Sequence, residues 1–198
     1  LMISLIALAS CGNVEGDKNL DIGKEENDQI NQDNRDQNKD NNNENKEEKI
    51  NKEDEYFQLA IGKKLPNFQF KNLQGEMVSL EQQRGKNVLV NLWATTWPYC
   101  RAEMDDFQRY YSENKDNNFT ILAVNVGEPL NQVKEYIQEN NFTFPVLLDH
   151  QADLFFKYGV QGIPTSIIVD KEGIIRGIKL GAMEYPEIKQ RFDALEGN

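Results

Sequence analysis

The chain has 198 residues and a formal net charge of −11 at pH 7. That length accommodates one folded domain together with an unfolded segment. No basic face and no interleaving of basic with aromatic residues is present, so the sequence does not indicate a nucleic-acid-binding protein.

The first eleven residues, 1–11, form a short apolar run that ends in Leu8-Ala9-Ser10-Cys11. The run is too short to span a bilayer and is typical of the end of a signal peptide. Its last four residues resemble a bacterial lipoprotein cleavage box, which implies a lipid on Cys11 and an anchor on the extracytoplasmic face of the cell membrane. No basic segment precedes the run, so we expect the true start a few residues upstream. An ordinary secretory signal with an unmodified cysteine is the alternative.

Residues 12–55 carry most of the charge, with 15 acidic and 7 basic side chains and no aromatic residue. A segment of this composition cannot bury enough apolar surface to offset its conformational entropy. We therefore predict a disordered polar linker over 12–55 and a folded domain over 56–198.

From Tyr56 onward the patterns alternate between strand and helix. They predict strands near 68–71, 77–79, 87–93, 119–125, 146–148, 166–170 and 174–180, and helices near 98–114, 129–140, 151–158 and 184–195. Pro98 stands at the first turn of its helix, where proline is favoured. Alternating elements that end in a hairpin predict an α/β fold with a mixed central sheet flanked by helices.

The most informative segment, Asn91 to Met104, joins a buried strand to a helix and reads NLWATTWPYCRAEM. It resembles the active site of the TlpA/ResA-like extracytoplasmic thiol–disulfide oxidoreductases, whose pattern is roughly N-F-W-A-T-W-C-x-P-C-x-x-E. Further motifs follow in the family's order: 65–68 and 75–80 resemble an N-terminal β-hairpin, 121–128 and 144–149 resemble core strands, and 162–166 and 170–173 resemble a cis-proline loop and a hairpin turn. The resemblance covers about 62–195 and implies a thioredoxin-like fold, protein thiols as substrates and no cofactor.

One cysteine of the family's C-x-x-C pair is missing. Trp97 stands where the attacking cysteine belongs, and Cys100 occupies the second position. Thr96 stands where the family has Trp, although an inserted Thr and a deleted Cys would give the same string. The second thiol of such a pair lies inside the helix, so we expect Cys100 to be buried, protonated and poorly reactive. Exchange needs two sulfurs, and redox activity should therefore be impaired.

Three further residues take their expected roles from the resemblance. Glu103 matches an acidic residue one helical turn beyond the cysteines and is a candidate proton-transfer group beside Cys100; the alternative is a partly buried acid on the helix surface. Asn91 replaces the buried Asp of cytoplasmic thioredoxins. Ile163 and Pro164 match the cis-proline loop, which presents the backbone before the proline to an extended partner. Trp97 could cover that groove as a ligand-facing aromatic or plug an unused site.

Two functions therefore remain open: a membrane-anchored oxidoreductase with weakened exchange, or a redox-inactive module that binds an extended peptide. Peroxide reduction by a lone thiol fits less well, because the peroxiredoxin pattern needs a Thr where Trp97 stands. We expect Arg101 and His150 to be surface residues, and we find no pattern of metal ligands or phosphate-binding glycines.

Overall fold

The computed structural model describes residues 56–196. The predicted signal segment 1–11 with its lipid site Cys11, and the predicted linker 12–55, lie outside the described residues and stay predictions. Within 56–196, no helix is both long enough and apolar enough to cross a membrane.

A seven-stranded mixed sheet forms the centre of the domain, in the order β2-β1-β5-β4-β3-β6-β7. The three central strands β3, β4 and β5 are parallel, and the remaining pairs are antiparallel. In chain order the elements are β1 (Gln69–Asn72), β2 (Met77–Ser79), a short 3₁₀ helix (Glu81–Gln83), β3 (Asn87–Trp93), α1 (Pro98–Asn114), β4 (Phe119–Val126), α2 (Leu130–Glu139), β5 (Val146–Asp149), α3 (Asp153–Lys157), β6 (Thr165–Val169), β7 (Ile175–Leu180) and α4 (Tyr185–Glu196).

Strand β3 is buried along its whole length, because both faces of the sheet are covered. Alternate residues point to opposite faces. Leu89 and Trp93 belong to a core with side chains of α1, α2 and α4, whereas Val88, Val90 and Leu92 belong to a second core that includes α3. The site at the end of β3 is therefore built on a strand fixed from both sides.

The predicted α/β fold with an N-terminal hairpin is confirmed, and so are all the predicted strands and helices. The 3₁₀ helix was not predicted. Helix α3 is shorter than the predicted 151–158, because Ala152 adopts a left-handed conformation (φ 60°) directly before it. The Asp149 carboxylate then accepts hydrogen bonds from the backbone N–H groups of Asp153 and Leu154 and caps the helix start.

The carboxyl ends of β3, β4 and β5 meet at one edge of the sheet because the three strands are parallel. Three loops follow there, over 94–97, 127–129 and 150–152. Strand β6 runs antiparallel to β3, and its first residue Thr165 pairs with Leu92. The loop before β6, which contains Pro164, therefore reaches the same edge.

Candidate functional site

Cys100 lies in the first turn of α1, and its side chain is completely buried (0 % exposed). Burial raises the pKa of its thiol to about 11, against a smaller lowering by a hydrogen bond with the Ala94 backbone. The expected burial of this residue is thus confirmed, and the thiol is protonated at neutral pH.

Trp97 precedes the helix as its N-cap residue, with extended backbone angles (φ −97°, ψ 121°). Its side chain is 54 % exposed and cannot accept a hydrogen bond from the helix N–H groups, so this N-cap residue gives α1 no side-chain cap. The position that a nucleophilic cysteine would occupy is therefore open to solvent and lies at a helix N-terminus, where a negative charge is stabilised.

Glu103 is also fully buried, with only 1 % of its surface exposed. The alternative of a partly buried acid on the helix surface is therefore wrong: the residue faces the sheet, not solvent. Its Oε1 accepts a hydrogen bond from Asn91 Nδ2 (2.9 Å), and its Oε2 accepts one from the backbone N–H of Met183 (3.0 Å). Burial raises the pKa of this carboxyl to about 8, although both hydrogen bonds oppose the shift.

Glu103 and Cys100 are consequently mostly protonated at neutral pH, because the pKa values of both groups lie above 7. Asn91 links this interior to the cis-proline side, since its Nδ2 also donates to Ser166 Oγ (3.0 Å). Its Oδ1 has no hydrogen-bond partner within the described part of the chain, residues 56–196. A neutral amide at this position fits a neutral carboxyl, whereas a second buried carboxylate would add a charge that nothing here compensates.

The peptide bond between Ile163 and Pro164 is cis, as predicted. The two residues border a groove of about 640 Å³ between α1 and the segment that leaves β7. Neither the N–H nor the C=O of Ile163 has a hydrogen-bond partner within residues 56–196. The groove is lined by Tyr99, Ala102, Glu103, Ile163, Pro164, Leu180, Gly181, Ala182, Met183 and Glu184.

Trp97 is not among the residues that line this groove, and its role as a ligand-facing aromatic or as a plug of an unused site stays a prediction. Because α1 begins at Pro98, the aromatic side chain that reaches the groove is Tyr99, two residues further on. Both rings are more than half exposed, at 54 % for Trp97 and 71 % for Tyr99. The start of α1 thus presents two aromatic side chains to solvent, one of them at the groove.

Sequence reasoning missed Glu128, a buried residue in the loop after β4. Its Oε2 accepts hydrogen bonds from the backbone N–H of Thr95 (2.7 Å) and from Asn125 Nδ2 (2.6 Å). Its Oε1 accepts from Thr95 Oγ1 (2.9 Å), the backbone N–H of Thr96 (3.2 Å) and Gln132 Nε2 (3.0 Å). An acidic residue directly after a buried parallel strand was the available signal, because such positions face the same edge as the site.

The remaining candidates lie at the surface. Arg101 is exposed and rests over the Tyr136 ring at 5.8 Å, and His150 is exposed with its Nδ1 3.1 Å from the backbone oxygen of Glu128. A larger cleft of about 920 Å³ near Phe57, Phe68 and Lys157 contains none of the predicted site residues. Among residues 56–196, no cluster of three or more His, Cys, Asp or Glu side chains could hold a metal ion.

Residues 61–178 match the model of the AhpC/TSA family. The chain belongs to the AhpC/TSA family. It also belongs to the thiol–disulfide oxidoreductases of thioredoxin fold, and two similar proteins are as follows. Thiol-disulfide oxidoreductase ResA of Geobacillus thermodenitrificans is 34 % identical over 138 residues, which covers 70 % of this chain and 79 % of that protein. Thioredoxin-like protein YneN of Bacillus subtilis is 35 % identical over 135 residues, covering 67 % and 78 %.

Solved structures show the same architecture. A thioredoxin domain of a thiol-disulfide oxidoreductase from Bacteroides vulgatus superposes with a TM-score of 0.62 at 30 % identity, over 68 % of this chain and 98 % of that one. StoA from Bacillus subtilis superposes with a TM-score of 0.57 at 27 % identity, over 64 % and 96 %. The thioredoxin-like fold expected from the motifs is thereby confirmed.

Proposed function

We propose that this protein is a member of the thiol–disulfide oxidoreductase family in which dithiol exchange is impaired. One observation carries the proposal: Cys100 is completely buried and its pKa is raised to about 11, while the exposed position three residues earlier is Trp97. Exchange begins with an accessible thiolate and ends when a second thiol resolves the mixed disulfide. The site offers a thiol suited only to the second task.

Glu103 and Cys100 are the remnant of an exchange site in this proposal. A carboxylate on Glu103 could accept the thiol proton, but the same negative charge raises the pKa of Cys100 further. If Cys100 attacked a partner disulfide, one S–S bond would form as the partner's bond broke and the partner's thiolate left. Residues 56–196 contain no second thiol, so the reaction would stop at that mixed disulfide.

Peroxide reduction is less well supported by the same observations. It needs a thiolate that peroxide can reach and oxidise to a sulfenic acid. A fully buried thiol with a pKa of about 11 provides neither the charge nor the access.

The test is the catalysed reduction of insulin by dithiothreitol, with Cys11→Ser in the full chain so that only Cys100 can react. We expect the rate to equal that of dithiothreitol alone. The proposal is wrong if the protein accelerates insulin reduction over many turnovers. Cys11→Ser combined with Cys100→Ala, which has no thiol, serves as the control for any effect that does not involve Cys100.

We further propose that the domain is held outside the cytoplasm by lipid on Cys11. The support is the Leu8-Ala9-Ser10-Cys11 ending after an apolar run. Two or more acyl chains give stable anchoring where one chain does not. A labelled fatty acid should mark the wild type and not Cys11→Ser, and the protein should partition with membranes. Equal labelling of both proteins would contradict the anchor.

A second candidate function is the binding of an extended polypeptide. The observation that favours it is the free backbone of Ile163, whose N–H and C=O have no partner among residues 56–196. An extended chain can pair with such groups and place side chains in the adjoining groove beside Tyr99 and Leu180. None of these contacts depends on a cysteine.

Binding can be tested with insulin B chain whose cysteines are carbamidomethylated, a polypeptide that offers no thiol. We expect it to shift the NMR signals of Tyr99, Ile163 and Leu180, and Tyr99→Ala to weaken its binding. Phe156→Ala is the matched control, because Phe156 is as exposed as Tyr99 (69 % and 71 %) and does not line the groove. Equal binding by both variants, or no binding by the wild type, would overturn this second function.

A further inference from the structure

The turn between β3 and α1 carries both exposed aromatic residues, yet it has little internal support. Its backbone hydrogen bond from the Trp97 N–H to the Ala94 oxygen is long, at 3.4 Å. Trp97 offers no side-chain cap to the helix, and its half-exposed ring contributes limited packing. Something outside the turn must therefore determine its conformation.

Glu128 supplies that support from the neighbouring strand. Three of the five hydrogen bonds to its carboxylate come from the turn itself: the Thr95 N–H, the Thr95 hydroxyl and the Thr96 N–H. The other two come from Asn125 Nδ2 and Gln132 Nε2. All five partners donate, and hydrogen bonds to a carboxylate are stronger than those between neutral groups.

Glu128 is itself held in place by the elements around it. Gly127 has a left-handed backbone (φ 76°) and donates its N–H to the Asp149 oxygen at the end of β5 (2.8 Å). The ring of His150 contacts the Glu128 backbone oxygen. Gln132 in α2 donates to Thr95 Oγ1 (2.8 Å) as well as to the carboxylate. The acid is thus a fixed point to which the turn is attached.

We infer that Glu128 is a positioning residue for ligand binding: its carboxylate fixes the Thr95–Thr96 backbone and thereby determines where the start of α1 presents Trp97 and Tyr99 to an extended polypeptide. In a C-x-x-C protein, a disulfide between positions 97 and 100 could restrain this turn. Here that crosslink is impossible, and the hydrogen bonds of Glu128 restrain the turn without any sulfur. The inference rests on the proposed peptide-binding function.

Glu128→Gln in the full chain is the decisive variant, because it keeps the size of the side chain and replaces one accepting oxygen by a donor. The new side-chain NH₂ group then faces the N–H and O–H groups that donated to the carboxylate, and the turn should open locally. We expect amide hydrogen exchange at Thr95 and Thr96 to become about tenfold faster, which corresponds to the loss of roughly one hydrogen bond to a charged acceptor. Exchange at Leu122 and Ile167 in the core should not change.

The functional readout is the affinity for carbamidomethylated insulin B chain. We expect Glu128→Gln to bind at least about threefold more weakly, because a mobile turn must be ordered on binding. Glu135→Gln is the matched control: Glu135 is an exposed acid on α2, so its replacement removes the same charge without touching the turn. It should leave both amide exchange and affinity unchanged.

The outcomes separate the two claims. If the wild type does not bind the B chain, the proposed peptide binding fails. If the wild type binds and Glu128→Gln matches Glu135→Gln in either measurement, the role assigned to Glu128 is wrong. Thr95→Val covers the case in which Glu128→Gln does not fold. It removes only the hydroxyl contacts and should still make amide hydrogen exchange at Thr96 faster. If exchange at Thr96 is unchanged in this variant, the inference is also overturned.

Discussion

The two halves of the site differ sharply, although one helical turn separates them. On the inner side, Cys100, Glu103 and Asn91 are buried, hydrogen-bonded or packed, and mostly uncharged at neutral pH. On the outer side, Trp97 and Tyr99 are exposed to solvent. The inner half keeps the residues that thiol exchange would use last, and the outer half lacks the sulfur that exchange would use first. In the proposed function, the absence of this sulfur at the surface impairs exchange although the buried residues of the site are present.

The difference in burial between the two halves indicates that surface contacts and core packing can be changed independently by substitution. A replacement at position 97 changes what the site presents to a partner without disturbing the core, because that side chain is not packed in the interior. A replacement at position 100 or 103 changes the interior itself. The predictions below test this division, beginning with the largest expected effect.

Trp97→Cys should create a working C-x-x-C site. The new thiol would lie at an uncapped helix N-terminus, which lowers the pKa of a thiol relative to that of the buried Cys100. We expect a 97–100 disulfide after oxidation and steady insulin reduction by the reduced form, from a background of none. Disulfide mapping and the insulin assay measure both effects.

Trp97→Ser is the control for that experiment, because it removes the indole and adds no sulfur. It should remain inactive. A folded Trp97→Cys protein that forms no bridge to Cys100 would show that the two positions are not placed as a redox pair.

Native Cys100 should react with iodoacetamide at pH 8 at least about 100-fold more slowly than the unfolded chain, since a pKa near 11 leaves little thiolate and burial blocks access. The measurement uses Cys11→Ser protein with and without guanidinium. A native rate close to the unfolded rate would mean that the inner half opens readily and that a reactive lone thiol is available.

Stability should fall as pH rises from about 5 to 8, because of Glu103. Its pKa is about 8 in the folded protein and lies near the ordinary Glu value in the unfolded chain. Over this range Glu103 holds a proton in the folded state and has released it in the unfolded state. The free energy of unfolding should therefore fall by up to about 1.4 kcal/mol for each pH unit. Above pH 8 the contribution should level off.

Urea unfolding across that range, compared with Glu103→Gln, isolates the effect. The glutamine variant cannot ionise and should lose this part of the slope, whereas the exposed-acid variant Glu135→Gln should keep it. Identical slopes for the wild type and Glu103→Gln would show that the carboxyl ionises in the folded protein as it does in water.

Most of the fold could be predicted because several sequence signals indicated the same strands and helices. These signals are the hydrophobic periodicity, Pro98 at the start of α1 and the glycines at the turns. The burial of Cys100 followed from its place in the helix. The burial of Glu103 did not, because its partners, Asn91 and the Met183 backbone, come from distant segments. Glu128 was missed for a related reason: it contacts the turn from the loop after another strand, and its place directly after a buried strand was the available signal.

The smallest effect is expected from removing the exposed indole. Trp97→Ala should change the free energy of unfolding by about 0.5 kcal/mol or less, as surface substitutions do. Phe107→Ala, on the buried face of the same helix, should cost about 3–5 kcal/mol. Both values come from urea unfolding followed by circular dichroism, which does not depend on the removed fluorophore.

Trp97→Ser sharpens the same point, because position 97 has the extended backbone of an N-cap residue and serine can accept a helix N–H there. We expect it to be more stable than Trp97→Ala by about 1 kcal/mol. The natural Trp97 would then be less favourable for the stability of the helix than a serine. That result is expected if the indole is present for contact with a partner. If Trp97→Ala instead destabilises the domain by more than about 2 kcal/mol, the indole is a packing residue. The outer half of the site would then be structural rather than a binding surface.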